Sequence, residues 1–473
     1  MKKFIALILS LVLVMTFFTA CGSEPKEPVY TSNEKFDIGT WVGINHTFNT
    51  FTEEGKLTGK KVLTDDELDA MYKELAESGI NIASPGNIWD RKNPDNFNIK
   101  TLMLCKKYGI QQILFDSDIQ NFLLNALSQS EIKSEAQLVE ELKTLLKPYV
   151  ECEYADALYG FWLIDEPNVS KYDQLGFAQK IFKQACPDKV LYLNLFPVYG
   201  GSLLGTNYTD YIAQYLKKFN NDYISYDNYV IKGDGFKTWI GNTYLYNMMV
   251  VKKQLLQEVK DGLRETPRKF WAFVQSQAFA PENRKIESQA DIDFQTNAFL
   301  AFGVDGLQWF TYCTPNTGDT DPYYNAMISL TLQKTPVYYY VQKNSADLQY
   351  LMPWYKNFTW KGIMLSDIRQ EDSFSYLIDD EYTYTEHETL TKFKSSDDAF
   401  CGLFKDKDGN DGFMFVNYTD PALKVENTLE LKFNGYSRAV VIKNGAKEIV
   451  KLNGGNCELT LLAGEGAFVI PYK

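Results

Sequence analysis

The chain is poor in histidine, with only His46 and His387 in 473 residues. Zinc hydrolysis and histidine-based triads both need positioned imidazoles, so neither chemistry has enough raw material. His46 stands at the end of an expected strand and is equally open to a structural hydrogen bond or to contact with a ligand; His387 is expected at the surface. No glycine-rich phosphate turn follows the first expected strand, because Gly39 and Gly43 lack the rest of that pattern. Neither a metal nor an organic cofactor is expected. Basic residues are in deficit, 48 against 61 acids for a net charge of -13, and loss of Lys2 and Lys3 with a leader would deepen it. Nucleic acid and anionic lipid surfaces are therefore disfavoured as partners. Besides Cys21 there are six cysteines, at 105, 152, 186, 313, 401 and 457. They are too scattered for a metal cluster or a small disulfide scaffold, and are expected mostly as buried thiols, with a disulfide left open.

Long apolar runs are equally scarce. One stands at the start, from Phe4 to Phe18 behind Met1-Lys2-Lys3, and it ends in Thr19-Ala20-Cys21-Gly22-Ser23. A basic start, a short apolar core and small residues make a secretory signal. The run is about 15 residues, below the ~20 that a spanning helix needs. Its end resembles bacterial lipoprotein precursors, in which a cysteine after a small residue is lipidated and becomes the new amino terminus. The resemblance implies removal of residues 1–20 and lipidation of Cys21. The product would be an exported protein held on the outer face of the envelope, touching the membrane only through its lipid. Residues 21–36, with Pro25 and Pro28, are expected as a flexible tether.

From residue 37 to 345 an apolar strand-like run, a polar loop and an amphipathic helical stretch recur eight times. The strand candidates are Gly39–Asn45, Asn81–Pro85, Gln111–Phe115, Tyr159–Ile164, Val190–Phe196, Tyr223–Tyr226, Lys269–Val274 and Gly306–Tyr312. The first helix opens on Thr64-Asp65-Asp66-Glu67, a capping box, and carries Leu68, Met71 and Leu75 on one face. Eight such alternations predict an α/β fold, a closed (β/α)8 TIM barrel, with an open doubly wound sheet as the alternative. Residues 346–395 are expected to connect it to a small C-terminal antiparallel β domain over 396–473, marked by alternating runs such as Gly412–Val416 and Ala439–Ile442. Asp406–Asp411 imitates a calcium loop but lacks its downstream Glu, and is expected as a hairpin turn.

Active sites of such barrels form where the strands end. The fourth strand runs Gly160-Phe161-Trp162-Leu163-Ile164-Asp165-Glu166-Pro167-Asn168, with two acids directly after an apolar run. Asp165-Glu166-Pro167 resembles the Asn-Glu-Pro that ends the fourth strand of clan A glycoside hydrolases. The resemblance implies a carbohydrate substrate and gives Glu166 the role of general acid. The competing structural role for the two acids is to cap the next helix, with Pro167 in its first turn. The chain departs from the clan at the seventh strand, where Gln275-Ser276-Gln277 stands in place of the nucleophilic Glu; Glu282 lies in the loop beyond. Other rim acids are Asp116 and Asp118 after strand three, and Asp227 after strand six. Asp227 is the preferred partner: facing the mouth, it would activate water opposite Glu166 in an inverting reaction, with carboxyls ~6.5–9.5 Å apart. Asp165, Asn45, Trp89, Asn194, Tyr229, Gln275, Trp309 and Tyr312 are the candidates for binding the substrate, the aromatic ones by stacking on sugar rings. A non-catalytic sugar-binding lipoprotein and a transport solute receptor are the alternatives.

Overall fold

A computed structural model describes residues 26–51, 56–84, 97–231, 241–278, 285–315, 325–366, 374–378 and 380–473. Cys21, Trp89 and Glu282 lie outside the described residues. No described helix is long and apolar enough to cross a membrane.

All eight expected barrel strands form: β1 Asp37–Trp41, β4 Ile82–Ala83, β5 Gln111–Leu114, β6 Leu158–Asp165, β7 Val190–Asn194, β8 Tyr223–Asp227, β9 Lys269–Gln275 and β10 Gly306–Phe310. They pair in parallel in the order β7-β6-β5-β4-β1-β10-β9-β8. A parallel bridge between Leu195 and Tyr226, with Leu195 N donating to Ser225 O at 2.9 Å, joins the two ends and closes the barrel. Between β1 and the first helix lies a hairpin that the sequence reading missed, β2 Thr47–Phe51 and β3 Leu57–Val62. Every residue of β3 is exposed, so it carries no core periodicity to recognise.

Strand alternation sorts the side chains into two layers. Trp41, Ile82, Ile113, Phe115, Trp162, Tyr192, Tyr223, Trp271 and Phe273 fill the barrel interior, with Tyr192 stacked on Tyr223 at 5.6 Å. The opposite faces pack under the helices, α1 Asp65–Glu77, α2 Phe97–Tyr108, α3 Ser117–Gln129, α4 Glu135–Val150, α5 Tyr172–Ala185, α6 Tyr208–Lys218, α7 Gly241–Lys260, α8 Gln289–Ala301 and α9 Pro336–Tyr355. The Thr64–Glu67 capping box starts α1, and Leu68, Met71 and Leu75 are buried as expected. Near the strand starts, Arg268 pairs with Glu258 through two bonds of 2.9 and 2.7 Å, and it donates to the carbonyls of Leu216, Phe219 and Asn221.

The barrel's last helix runs to Tyr355, and β11 Phe358–Leu365 already belongs to the second domain. The boundary is therefore later than 345, and much of 346–395 is regular structure rather than connection. β12 Thr383–Tyr384, β14 Ala399–Asp406, β15 Asp411–Asn417, β17 Arg438–Lys443, β18 Ala446–Lys451 and β20 Gly466–Tyr472 form a sheet with β11; β13 Leu390–Ser395, β16 Asn427–Phe433 and β19 Asn456–Leu461 form another. A core including Leu403, Phe413, Phe415, Leu431 and Phe433 lies within this domain. Asp406–Asp411 is the expected hairpin turn, with Asp406 Oδ1 accepting from the backbone of Asp408 and Asn410. The domain rests on α8. A Cβ at Gly402 would lie 2.1 Å from Ala301 O of the barrel, so only glycine permits the approach. His387 is half-buried rather than superficial: its Nδ1 accepts from Thr389 N and Leu390 N, and burial holds its pKa down. The six described cysteines are free thiols.

The described part of the tether, 26–36, is docked rather than free-standing. Tyr30 donates to Asp406 at 2.9 Å and packs on Phe358, and Gln349 of α9 bonds both the N–H and the C=O of Phe36.

Candidate active site

The two acids of β6 owe their position to a bulge. Trp162 pairs with Tyr192, but Ile164 pairs with Leu193 and Asp165 with Asn194, so one residue is inserted near Leu163. The Leu163 carbonyl is taken by Gln120 of α3 at 2.7 Å. The extra residue lets Ile164 pack outward while Asp165 comes level with Asn194. Glu166 follows in a left-handed conformation, φ 44°, with its N–H donating to Asn194 O at 2.9 Å. A non-glycine residue pays strain of order 1–3 kcal/mol for such a backbone, and it persists only where neighbours hold it. The capping role is taken by Asn168, whose side chain accepts from Ser170 N, so the acids are free of it.

From β8, Tyr223, Ser225 and Asp227 share the inward face, as alternation predicts. Asp227 is buried, and its carboxyl is hydrogen-bonded to that of Glu166. Asn194 Nδ2 donates to Asp227 Oδ1 at 2.9 Å, and the same side chain also bonds Asp165. Its Oδ1 accepts from Ser225 Oγ at 2.9 Å, and Ser225 Oγ in turn accepts from Gln308 Nε2 at 3.0 Å. This chain of bonds fixes the amide so that its donors face the two aspartates.

Three carboxyls so close, Asp227 buried and Asp165 and Glu166 half-buried, cannot all ionise at ordinary pH. Burial pushes Asp165 up to about 6, although Asn194 and the Glu166 backbone hold it down in part. Burial and then the Asp165 charge push Glu166 up to about 7, the Asp227 bond opposing them. Asp227 is pushed well above the usual carboxylate range by burial, then by the charges of Glu166 and Asp165. Near neutrality, Asp165 is mostly ionised and Glu166 stands near its midpoint, while Asp227 is shifted toward its protonated form.

Of the residues expected at the site, Glu166, Asp165, Asp227 and Asn194 come together with Tyr229, whose phenol is pushed up first by burial and then by charges that include Asp227, Asp165 and Glu166. Tyr229 also packs on Phe310 at 5.1 Å. Three expectations fail. Gln275 is fully buried, its amide bonded to both N–H and C=O of Ile231, so it ties β9 to the loop after β8 instead of meeting a ligand. Trp309 and Tyr312 are fully buried in the outer core beneath the helices, because alternation turns Gln308 inward and Trp309 outward. Asn45 is half-buried past β1. Asp116, at the rim just past β5, is engaged in structure: it caps α3 and accepts from Tyr149.

Several buried polar atoms near the strand ends have no partner among the described residues, among them Trp162 Nε1 and Asn228 Nδ2, which the sequence did not single out, and His46 Nδ1 and both amide atoms of Gln277, which it did. These residues belong to or follow β6, β8, β1 and β9, the strands that frame the acids. A buried donor left unpaired costs about 1–3 kcal/mol, so these atoms call for a polar ligand or ordered water. Their sequence signal was the one applied to the acids, a polar residue in or just beyond an apolar run.

No family model matches the chain, and no curated protein matches it. Solved structures similar to it include an α-amylase from Anoxybacillus, 14% identical, with 92% of this chain and 98% of that one covered at a TM-score of 0.49. Another is a glycoside hydrolase family 5 protein from Bacteroides vulgatus, 9% identical, covering 93% and 89% at a TM-score of 0.48. A third is the α-amylase from Geobacillus thermoleovorans, 12% identical, covering 93% and 98% at 0.47. Likeness at this level leaves the functional case to the chain's own geometry.

Proposed function

We propose that the protein is a glycoside hydrolase acting on extracellular oligo- or polysaccharides, with Glu166 as proton donor, and that it is exported and held on the envelope by a lipid on Cys21. The observation that carries the catalytic reading is the convergence of Asp165, Glu166 and Asp227 at the barrel mouth, with Glu166 raised to about 7. A general acid works best with a pKa near the working pH, and burial supplies that here. Glu166 protonates the leaving oxygen as the glycosidic bond breaks, the ionised Asp165 stabilises the positive charge that develops on the sugar ring, and water then adds to the anomeric carbon and returns a proton to the Glu166 carboxylate.

Asp227 has a different part from the one its position in sequence implied. A carboxyl bonded directly to Glu166 leaves no space for the water of an inverting pair, which needs ~6.5–9.5 Å. Burial and the neighbouring charges also favour its protonated form, which suits it to poise Glu166 rather than to act as the base. The unpartnered Asn228, Gln277 and Trp162 atoms supply donors and an acceptor for sugar hydroxyls.

The test is hydrolysis of a broad panel of aryl glycosides and oligosaccharides by the parent and by Glu166→Gln. The variant should lose about 10²–10⁴-fold in rate and still bind the same glycan. One observation favours a sugar-binding protein without catalysis, namely that an amide, Gln275, ends β9. Binding by both proteins with no cleavage by the parent would establish that alternative. The eight-stranded barrel has no pair of lobes to close on a ligand, which removes the basis for a transport receptor.

A further inference from the structure

The docked segment 26–36 fixes where the chain leaves the body. Phe36 enters β1 at the pole where the strands begin, beside the ion pairs Lys269–Asp37 and Lys356–Asp305. From there the segment runs over the end of α9 and onto the second domain. Asn357 donates to Thr31 O at 3.2 Å, Tyr30 bonds Asp406, and Glu27 pairs with Lys447 at 2.6 Å. These contacts lie on the side of the strand starts, whereas Asp165, Glu166 and Asp227 lie where the strands end.

Five peptide steps separate Lys26 from Cys21, a reach of at most roughly 18 Å. While 26–36 stays docked, a lipid on Cys21 is therefore tied within that reach of the strand-start side of the body. The surface around the exit suits a membrane interface. Val29 is 80% exposed and Tyr350 39% exposed; Tyr350 stacks near Trp354 at 5.6 Å, and Lys447 stands beside Tyr350. Aromatic rings and lysines at one level are the groups that settle at the headgroup boundary.

We infer that the protein sits on its membrane by the strand-start pole, with Val29, Tyr350 and Trp354 at the lipid headgroups and the acid-bearing mouth turned outward. This rests on the anchoring of Cys21 and is independent of what the mouth does. A tethered barrel so oriented meets polymers arriving from outside, and large substrates need not pass between body and bilayer.

The test uses the full lipidated protein in zwitterionic phosphatidylcholine vesicles that carry an acceptor dye on the headgroup. Cys152→Ser and Cys457→Ser remove the half-buried thiols, leaving Cys105, Cys186, Cys313 and Cys401 buried. A donor dye is placed through Lys35→Cys at the strand-start pole, or through Leu203→Cys on the exposed loop beside Asn168 at the mouth. Energy transfer should be several-fold greater from the Lys35→Cys site. Equal or reversed transfer overturns the orientation. Cosedimentation of Cys21→Ser with vesicles as fully as the parent overturns the anchoring premise instead, whatever the dyes report.

Discussion

Glu166 combines a left-handed backbone, a shared hydrogen bond with Asp227 and a neighbouring charge on Asp165. The last of these is separable. Because the Asp165 charge raises the Glu166 pKa, Asp165→Asn should lower it, and the basic limb of the pH–rate profile should move to lower pH by on the order of 1 pH unit. The measurement is kcat/KM against pH for parent and variant on one substrate, and an unmoved limb would show that Asp165 does not set the acid. The amide of Asn194 belongs to this residue-level balance too. It is occupied by the two aspartates and Ser225, so it orients the acids and is not spare for a sugar hydroxyl.

Among the elements, the β6 bulge is what separates this mouth from an ordinary strand end. Period-two alternation from Trp162 would turn Ile164 inward and Asp165 out, and the inserted residue reverses that. At the other pole, Arg268 welds α6, α7 and the start of β9 through five hydrogen bonds. Removing one partner strands a buried charge, so Arg268→Ala should destabilise by about 3–5 kcal/mol. Urea unfolding reads this directly, and a loss below about 1 kcal/mol would mean water replaces the guanidinium.

For the whole molecule, the buried acids set a pH dependence of stability. Asp165, Glu166, Asp227 and Asp293 all have folded pKa values raised above their ordinary ones, Asp293 to about 6 by burial. The folded chain then holds protons that the unfolded chain releases. Their contribution is fully present below about pH 4 and is lost as pH rises through 6 to 7 and beyond. The protein should unfold at a lower temperature at pH 8 than at pH 5. Asp227→Asn, which cannot ionise, should raise the melting temperature at pH 8 and leave it nearly unchanged at pH 4. A rise of equal size at both values would point to packing rather than charge.

The sequence by itself determined the succession of elements and the strand ends that matter. Apolar runs, capping boxes and turn residues are local, and local signals survive in one dimension; hence eight strands, the α1 cap and the rim position of Asp165, Glu166 and Asp227 were all legible. The facing of Asp227 followed from alternation alone. What the tertiary structure decided were the things that depend on a second chain segment. Gln120 takes the carbonyl at the β6 bulge, Gln275 is consumed by Ile231, and Trp309 faces helices rather than sugar. The contact between Glu166 and Asp227 joins residues 61 positions apart, and it contributes to the raised pKa of Asp227. Distance between carboxyls, burial and pKa are properties of packing, and no spacing along the chain encodes them.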